Sequence, residues 1–195
     1  MERLQQQPPE ADNFFADECF RLHNKARRAH GCPPLMFCQD LGDMARQVAD
    51  ELARRRFMIY EERFTDIGEN ATFFPPHFTA AECMKFWLSE ESRYDYEAGH
   101  WQQGTNYFTQ IIWKATSEVG IGRSLMKHQS DPTRNQAVVV ALYRPAGNSN
   151  KPGEFIKNVP RPLASRIDEG TSVDIVINGD TGNGLSSTTR MVNGR

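Results

Sequence analysis

Two glutamates and a tyrosine offer the clearest chemistry in the sequence. Glu69 stands in the segment GENA, Glu90 in WLSE and Tyr107 in GTNYFTQIIW. Paired carboxylates can transfer protons or bind a cation, and a phenol can donate a hydrogen bond to either of them. A glycosidase would also need a sugar cleft between two carboxyl groups at a defined separation, and no pattern here predicts one. Carboxylates that pin a loop to a helix are the simpler interpretation.

Histidines and cysteines form a second set of candidate ligands. Cys19 and His23 are four residues apart and could share a metal ion on one helix face, but no third ligand is evident. His30 follows His23 by seven residues, about 10 Å along a helix, which is too far to join them. Helix packing is therefore the favoured role for these residues. His100 lies in a loop before Tyr107 and is a candidate for a cleft.

A nucleophilic hydrolase has little support from the sequence. No Ser or Cys lies in a nucleophile elbow or beside a His that could activate it. We therefore expect no catalytic residue of that class.

The helices that must position these residues follow from hydrophobic spacing. Apolar residues three and four apart predict a first helix capped by Asp12 or Asn13, and a second helix that runs out at Arg54–Arg56. Thr79 and Glu82 form a capping box that begins a third helix. The inner face of the third helix is predicted to carry Cys83, Phe86, Trp87 and Glu90.

Three strands are predicted in the second half of the domain: Phe108–Trp113, Val119–Ser124 and Ala137–Tyr143. All are rich in β-branched and aromatic residues, and the short loops between them predict an antiparallel sheet. Tyr107 would then lie at the mouth of the first strand. Because the helices come first and the strands later, the order favours a layered α+β domain over a doubly wound one.

Length and composition predict one domain with flanking segments. A chain of 195 residues is long enough for one sizeable core. Residues 1–12 are polar and predict a disordered lead-in, and residues 13–162 form the domain. Residues 163–195 are rich in Gly, Ser, Thr and Asn and predict a flexible, low-complexity tail.

Charge and hydropathy limit the class of partner and the compartment. A net charge of −2 and a pI near 6.2 do not predict a nucleic-acid partner. The first residues lack the apolar segment of a secretory signal, and no apolar run is long enough to predict a transmembrane helix. We expect a cytoplasmic protein with reduced cysteines. A Cys32–Cys38 disulfide is the alternative in an oxidising compartment.

Four segments, in order, resemble motifs of the CAP superfamily, also called the SCP/antigen 5/pathogenesis-related-1 family. They are HNKARRAHGCPPL (23–35), GENA (68–71), FTQIIWKAT (108–116) and YRPAGN (143–148). Ala141 stands where secreted members often carry Cys, so the chain resembles the Golgi-associated plant pathogenesis-related subgroup. The resemblance implies a three-layer α-β-α sandwich with an antiparallel central sheet.

The resemblance also implies a central cavity in which two His and two Glu bind zinc. Glu69 and Glu90 match the glutamates, whereas Tyr107 replaces one histidine and Tyr60, or Met58 in another register, replaces the other. A phenol has a pKa near 10, so it ligates zinc less readily than a neutral imidazole. We therefore expect no zinc cofactor, and a hydrogen-bonded cluster of Tyr60, Glu69, Glu90 and Tyr107 in its place.

Basic residues at two helix ends suggest an anionic phospholipid membrane surface as partner. They are Arg27 and Arg28 in the first helix and Arg54, Arg55 and Arg56 in the second. Each charge near such a surface contributes roughly 1 kcal/mol. A solvated face balanced by acidic neighbours is the alternative. Resemblance to membrane-associated relatives favours a peripheral location on Golgi or other membranes and makes a homodimer plausible.

The hypothesis is therefore a non-enzymatic CAP-domain protein with a degenerate metal cavity, which acts on lipid surfaces or protein partners. Two alternatives stay open. The first is a metal-dependent hydrolase of unknown substrate, which intact histidines would favour. The second is a secreted, extracellular protein of the defence or allergen type, which a signal peptide would favour.

Overall fold

A computed structural model describes residues 9–56, 64–127, 131, 133 and 135–163, with side chains from residue 12 onward. The predictions for residues 1–8 and for the tail beyond Leu163 lie outside the described residues. The helices are α1 (Pro9–Ala29), α2 (Gln39–Arg55), α3 (Ala80–Leu88), α4 (Asn106–Ile112) and α5 (Glu154–Asn158). The strands are β1 (Met36–Phe37), β2 (Gly68–Phe74), β3 (Glu118–Met126) and β4 (Gln136–Arg144). No helix among the described residues has the length and apolar character needed to cross a bilayer.

The four strands form one sheet in the order β1-β3-β4-β2. The predicted antiparallel pairing is correct for β3 and β4, and β2, which was not among the predicted strands, also pairs antiparallel with β4. The sheet is nevertheless mixed, because Met36 and Phe37 of β1 pair with β3 in parallel. All seven residues of Ala137–Tyr143 in the central strand β4 are buried, so both faces of the sheet must be covered.

Helices cover the two faces and create the three-layer α-β-α architecture that the resemblance implies. On one face, α1, α3 and α4 pack over the sheet in an apolar cluster that includes Cys19, Trp87 and Phe108. On the other face, α2 buries Leu41 and Leu52 against the sheet. Glu90 and Tyr107 lie on the first face, beside the outer edge of β2.

The largest correction concerns residues 108–113, which form helix α4 and the turn after it rather than a strand. Phe108, Ile111 and Ile112 are spaced as one helical face, and all three are buried. Two other boundaries also move. Residues 9–12 belong to α1, so the helix reaches into the predicted lead-in, and β2 is a strand that was not among the three predicted.

The capping box of α3 is confirmed. Thr79 Oγ1 accepts from Glu82 N at 3.2 Å, and a Glu82 carboxylate oxygen accepts from Thr79 N at 2.9 Å. The predicted inner face is correct for Cys83 and Trp87, but Phe86 is 48% exposed. The helix ends at Leu88, so Glu90 belongs to the 3₁₀ helix that follows.

Helix α2 lies directly on β3 because two residues of that strand have no side chain. A Cβ on Gly120 would lie 2.1 Å from both the Gly42 nitrogen and the Leu41 carbonyl carbon. A Cβ on Gly122 would lie 2.3 Å from the Arg46 nitrogen. Close approach of a helix backbone to a strand backbone is a recognised reason for glycine inside a strand.

Candidate functional site

Glu90 anchors the site by holding the start of α4. One carboxylate oxygen accepts hydrogen bonds from the backbone N–H groups of Tyr107 at 2.7 Å and Phe108 at 3.1 Å. These first-turn amides have no partner within their own helix. Burial raises the pKa of Glu90, and the two amides and the Arg93 guanidinium offset part of that rise. Glu90 thus acts as a helix cap supplied from a distant segment, in keeping with the pinning role.

Tyr107 joins α4 to the outer edge of β2. Its hydroxyl donates to the Ala71 carbonyl oxygen at 2.9 Å, and its own carbonyl oxygen accepts from Asn70 Nδ2 at 3.1 Å. A hydroxyl has one proton, so this bond replaces the predicted donation to a carboxylate. Tyr107 contacts Glu90 through its backbone amide, which the sequence pattern did not predict.

Glu69 is exposed on β2 and lies next to Asn70 in the strand. Side chains alternate along a strand, so Glu69 shares its face with Ala71 and Phe73, which pack with the α2 cluster. Tyr60 and its rival Met58 lie outside the described residues. The structure therefore brings together Glu90, Tyr107 and the edge of β2, and the role of Tyr60 stays a prediction.

As the structure places them, Tyr107 and Glu90 fit zinc poorly. Tyr107, in the place of an imidazole, keeps its phenolic proton because it donates that proton to the Ala71 carbonyl. Glu90 directs an oxygen at two amides. A protonated phenol and a carboxylate committed to amides make a poor set for an ion that prefers imidazole nitrogen or thiolate. Within the described ranges, no group of three or more His, Cys, Asp or Glu is placed to hold a metal.

His100 lies in a loop, and its described contact is local. The side chain is exposed, and Nδ1 lies 2.9 Å from the carbonyl oxygen of its neighbour Trp101. The cleft role that the sequence suggested for His100 gains no support from this contact.

Arg27 overturns part of the lipid prediction because it is fully buried. A side chain with no exposed surface cannot reach a headgroup. Its guanidinium instead lies among backbone carbonyl oxygens from two segments of the chain. They belong to Pro33 at 2.7 Å, Ile111 at 3.0 Å, Trp113 at 2.8 Å, Lys114 at 3.5 Å and Thr116 at 2.8 Å.

The remaining arginines do not form one surface. Arg28 follows Arg27 at the end of α1, beside the residues that lead into the start of β3. Arg56 lines a groove with Met126, where β3 ends. Strand β3 has nine residues, so its two ends are roughly 26 Å apart. Arg28 and Arg56 therefore lie near opposite ends of this strand. Arg54–Arg56 are therefore the only part of the predicted basic cluster that can act as a unit.

A buried polar chain that the sequence did not predict supports the site from α1. His23 Nδ1 lies 2.8 Å from the Cys19 carbonyl oxygen, which can only accept, so this nitrogen carries the proton. His23 Nε2 then accepts from the Tyr143 hydroxyl at 2.8 Å, and Asn70 Nδ2 donates to that hydroxyl at 3.2 Å. Both ring nitrogens of His23 are thus used in hydrogen bonds within the protein. This agrees with the packing role favoured from the sequence over a metal shared with Cys19. The useful signal was a histidine on an otherwise apolar helix face.

His23 predicts a pH dependence of stability. Burial lowers its pKa from 6.5 to about 4. His23 therefore takes up a proton more readily in the unfolded protein than in the folded one. The free energy of unfolding is unaffected by His23 above pH 6.5 and falls by about 3 kcal/mol as the pH is lowered towards 4. Urea unfolding at pH 7 and pH 4 should show that His23→Gln, which does not titrate, loses about 3 kcal/mol less than the parent protein. Equal losses in both proteins would contradict this assignment.

Comparisons with known proteins identify the family. A model of CAP, the cysteine-rich secretory protein family, matches residues 20–143. Human Golgi-associated plant pathogenesis-related protein 1 is 33% identical over 154 residues, which cover 78% of this chain and 96% of that protein. Pathogenesis-related protein 1 of Arabidopsis thaliana is 23% identical over 128 residues, which cover 66% of this chain and 74% of that protein.

A solved structure gives the same result for the fold. Venom allergen-like protein 4 of Schistosoma mansoni superposes with a TM-score of 0.54 at 23% identity, and the match covers 75% of this chain and 95% of that one. The family match, the human relative and this fold agree with the three-layer architecture and with the order of the four motifs. The chain belongs to the CAP family.

Proposed function

We propose that this CAP-domain protein is a non-enzymatic module that contacts anionic membrane surfaces through Arg54–Arg56 and the groove beside them. The observation that carries the proposal is the position of Arg54–Arg56 at the exposed end of α2. Three consecutive exposed arginines end α2 next to a groove of about 590 Å³ whose lining combines apolar and polar side chains. The groove is lined by Arg56, Phe73, Phe74, Pro75, Pro76, Met126, Thr133, Asn135 and Gln136.

Charge and apolar surface at one end of the sheet suit a lipid interface. Guanidinium groups form bidentate hydrogen bonds with phosphate, and apolar side chains beside them can enter the headgroup region. Pro75 is exposed, and Phe73 and Met126 are partly exposed, so the lip of the groove is available for such contact.

The competing explanation is that these arginines only stabilise the end of α2. Cations near a helix C-terminus interact favourably with its dipole. Arg55 also pairs with Glu51 at 2.6 Å, and Arg54 Nε donates to the Asp50 carbonyl at 3.3 Å. Each of these contacts uses only part of a guanidinium with five N–H donors, so a phosphate can still be bound.

The hydrogen bonds of Glu90 support the non-enzymatic part of the proposal. Glu90 would be the natural acid or metal ligand of a hydrolase, but one of its oxygens already holds two amides of α4. Moving that carboxylate into a reaction would release the start of the helix. The metal-dependent hydrolase remains the alternative in which Glu69 supplies the chemistry.

The membrane involved is proposed by similarity. The human relative is named as Golgi-associated, so we propose a peripheral location on Golgi membranes. The similarity to a plant pathogenesis-related protein keeps the extracellular alternative open.

Liposome flotation tests the proposal. The protein should float with vesicles of phosphatidylcholine containing phosphatidylinositol, and should not float with phosphatidylcholine alone. Removing three charges by R54Q/R55Q/R56Q should remove about 3 kcal/mol, or roughly a hundredfold in partitioning. Raising the salt concentration should weaken flotation of the parent protein because it screens the charges.

A matched control removes the same charge from α1. R21Q/K25Q/R28Q changes three exposed residues on that helix, away from the proposed surface. This variant should float as the parent protein does. Equal losses in both triple variants would show that net charge alone drives flotation, and no loss in either would contradict the assigned surface.

A further inference from the structure

We propose that Cys19 on α1 and Cys83 on α3 are a disulfide-forming pair, which joins when the protein folds in the presence of a disulfide oxidant. Both helices pack on the first face of the sheet, and both cysteines are fully buried in the apolar cluster there. In a reducing compartment the same pair stays as two thiols. The proposal does not depend on the lipid surface described above.

The packing of α1 against α3 sets Cys19 opposite Cys83. Four residues further along each helix, His23 and Trp87 are in contact, with ring centroids 6.3 Å apart. Four residues make about one helical turn, so each cysteine shares a helix face with the ring that follows it. The two helices therefore run in the same direction, and the cysteines face each other one turn before the contact of the rings.

Small residues let the two helices approach closely at this point. Ala16 and Ala80 lie three residues before Cys19 and Cys83, and both are buried in the same apolar cluster. Because residues three apart share a helix face, the contact between α1 and α3 begins at two methyl groups and continues to two thiols. A disulfide needs Cα atoms about 4.4–6.8 Å apart, so it requires helices packed as closely as such small residues allow.

The two thiols also interact directly. The Cys19 side chain hydrogen-bonds with the Cys83 thiol, and neither residue has exposed surface. A sulfur–sulfur bond is about 2.05 Å long, so two thiols already in contact need only a small movement to form one. The sequence pattern did not predict this contact, because residues 20–82 separate the two cysteines along the chain.

The other two cysteines are directed at different partners. Cys32 Sγ donates to the Ile112 carbonyl oxygen at 3.1 Å, whereas Cys38 Sγ accepts from an Arg144 guanidinium nitrogen at 3.4 Å. A Cys32–Cys38 bridge would have to break both of these contacts. The structure therefore favours a Cys19–Cys83 bond over the bridge between Cys32 and Cys38 that the sequence left open.

Glutathione disulfide can supply the oxidation in two exchange steps. The thiolate of one cysteine attacks a sulfur of the oxidant, forms a mixed disulfide and releases one glutathione thiolate. The thiolate of the second cysteine then attacks the protein sulfur of that bond and releases the second glutathione thiolate. Two protein thiols become one disulfide, one glutathione disulfide becomes two thiols, and the two protons pass to the glutathione thiolates.

Burial places this reaction before the end of folding. It raises the pKa of the Cys83 thiol, and the thiolate is the reactive form, so the fully packed pair reacts slowly. In partly folded chains the exchange is reversible, so the bond that native packing holds together accumulates. Once the helices are packed, the two sulfurs are shielded from reductants in solution.

The bond would stabilise the candidate site as well as the helix pair. It closes residues 20–82 into a loop and lies one turn from His23, which begins the polar chain to Asn70 of β2. A cross-link that closes a long loop restricts the unfolded chain strongly. Oxidation should therefore raise the midpoint of thermal unfolding by about 10 °C.

Peptide mapping tests the pairing. The full-length protein is unfolded with its thiols reduced, refolded with oxidised and reduced glutathione, alkylated, and digested with trypsin without reduction. Mass spectrometry should find peptide 4–21 joined to peptide 64–85, because these peptides carry Cys19 and Cys83. Cys32 and Cys38 lie together in peptide 29–46, which should carry two alkylated thiols and no internal bridge.

Variants separate this pair from the other two cysteines. C32S/C38S is the matched control and should keep both the joined peptides and the higher thermal midpoint after oxidation. C19A/C83A should lose both, and if it does not fold, the maps of the parent protein and of C32S/C38S still decide the pairing.

The proposal is overturned if the refolded parent protein keeps all its thiols free, carries glutathione on single cysteines only, or is bridged within peptide 29–46. It is also overturned if the joined peptides come only from a disulfide-linked dimer in non-reducing electrophoresis. An equal rise of the thermal midpoint in C19A/C83A on oxidation would contradict it as well.

Discussion

Arg27→Leu is expected to destabilise the protein by about 4 kcal/mol or more, a large part of the 5–15 kcal/mol that folding typically provides. The guanidinium is fully buried and donates to carbonyl oxygens of two segments, the turn at Pro33 and the stretch from Ile111 to Thr116. Leucine would leave these carbonyls buried without donors. Each such loss costs roughly 1–3 kcal/mol, less what water entering the site recovers.

The neighbouring residue provides the control for Arg27. Arg28→Leu removes the same charge from an exposed position and should change stability by less than about 0.5 kcal/mol. Arg27→Lys keeps the charge but loses the planar fork, so it should fall between the two. Urea unfolding followed by tryptophan fluorescence measures all three. An Arg27→Leu protein within about 1 kcal/mol of the parent would contradict this role.

Gly120→Ala is expected to cost about 3 kcal/mol or more. The added methyl would lie 2.1 Å from backbone atoms of Leu41 and Gly42, which no side-chain rotation can relieve. Helix α2 would have to move off the sheet and would loosen the cluster around Leu52. Insertions into a well-packed core typically cost 1–3 kcal/mol, and a clash with backbone lies at the upper end or beyond.

The control for Gly120 is a glycine in open space. Gly153 has a φ of 81° and no neighbour within 4 Å of the added Cβ, so Gly153→Ala should cost only about 1 kcal/mol of backbone strain. Thermal unfolding followed by circular dichroism should rank the two variants in this order. The reverse order would show that α2 does not rest on the strand backbone.

The layers of the fold were predictable because amphipathic spacing is local information. The stripes of α1 and α2 and the capping box at Thr79 are read within a few residues, and the structure has helices at all three places. The helix at 106–112 was missed because its first turn is capped by Glu90, which is 17 residues away in sequence. The β-branched and aromatic residues of this segment favoured a strand. The contact with Glu90, which favours the helix, lies too far away in sequence to be seen in a short segment.

The identity of the site residues could be predicted from the sequence, but their hydrogen bonds could not. Family motifs identified Glu69, Glu90 and Tyr107, whereas the backbone amide of Tyr107 became the contact that matters. Arg27 was placed on a surface because arginine is rarely buried. Gly120 and Gly122, in the segment VGIG, could have indicated that a helix packs closely on this strand, because glycine inside a strand often marks such an approach. Hydrophobic spacing alone did not predict this contact.

The central proposal is that the positions of the family's zinc site hold the structure together rather than a metal. Equilibrium dialysis against micromolar zinc, followed by elemental analysis, tests it most directly. The parent protein should retain no stoichiometric zinc, and Y60H/Y107H, which restores two imidazoles, should bind about one equivalent. Stoichiometric zinc in the parent protein that is lost in Glu69→Ala would contradict the proposal.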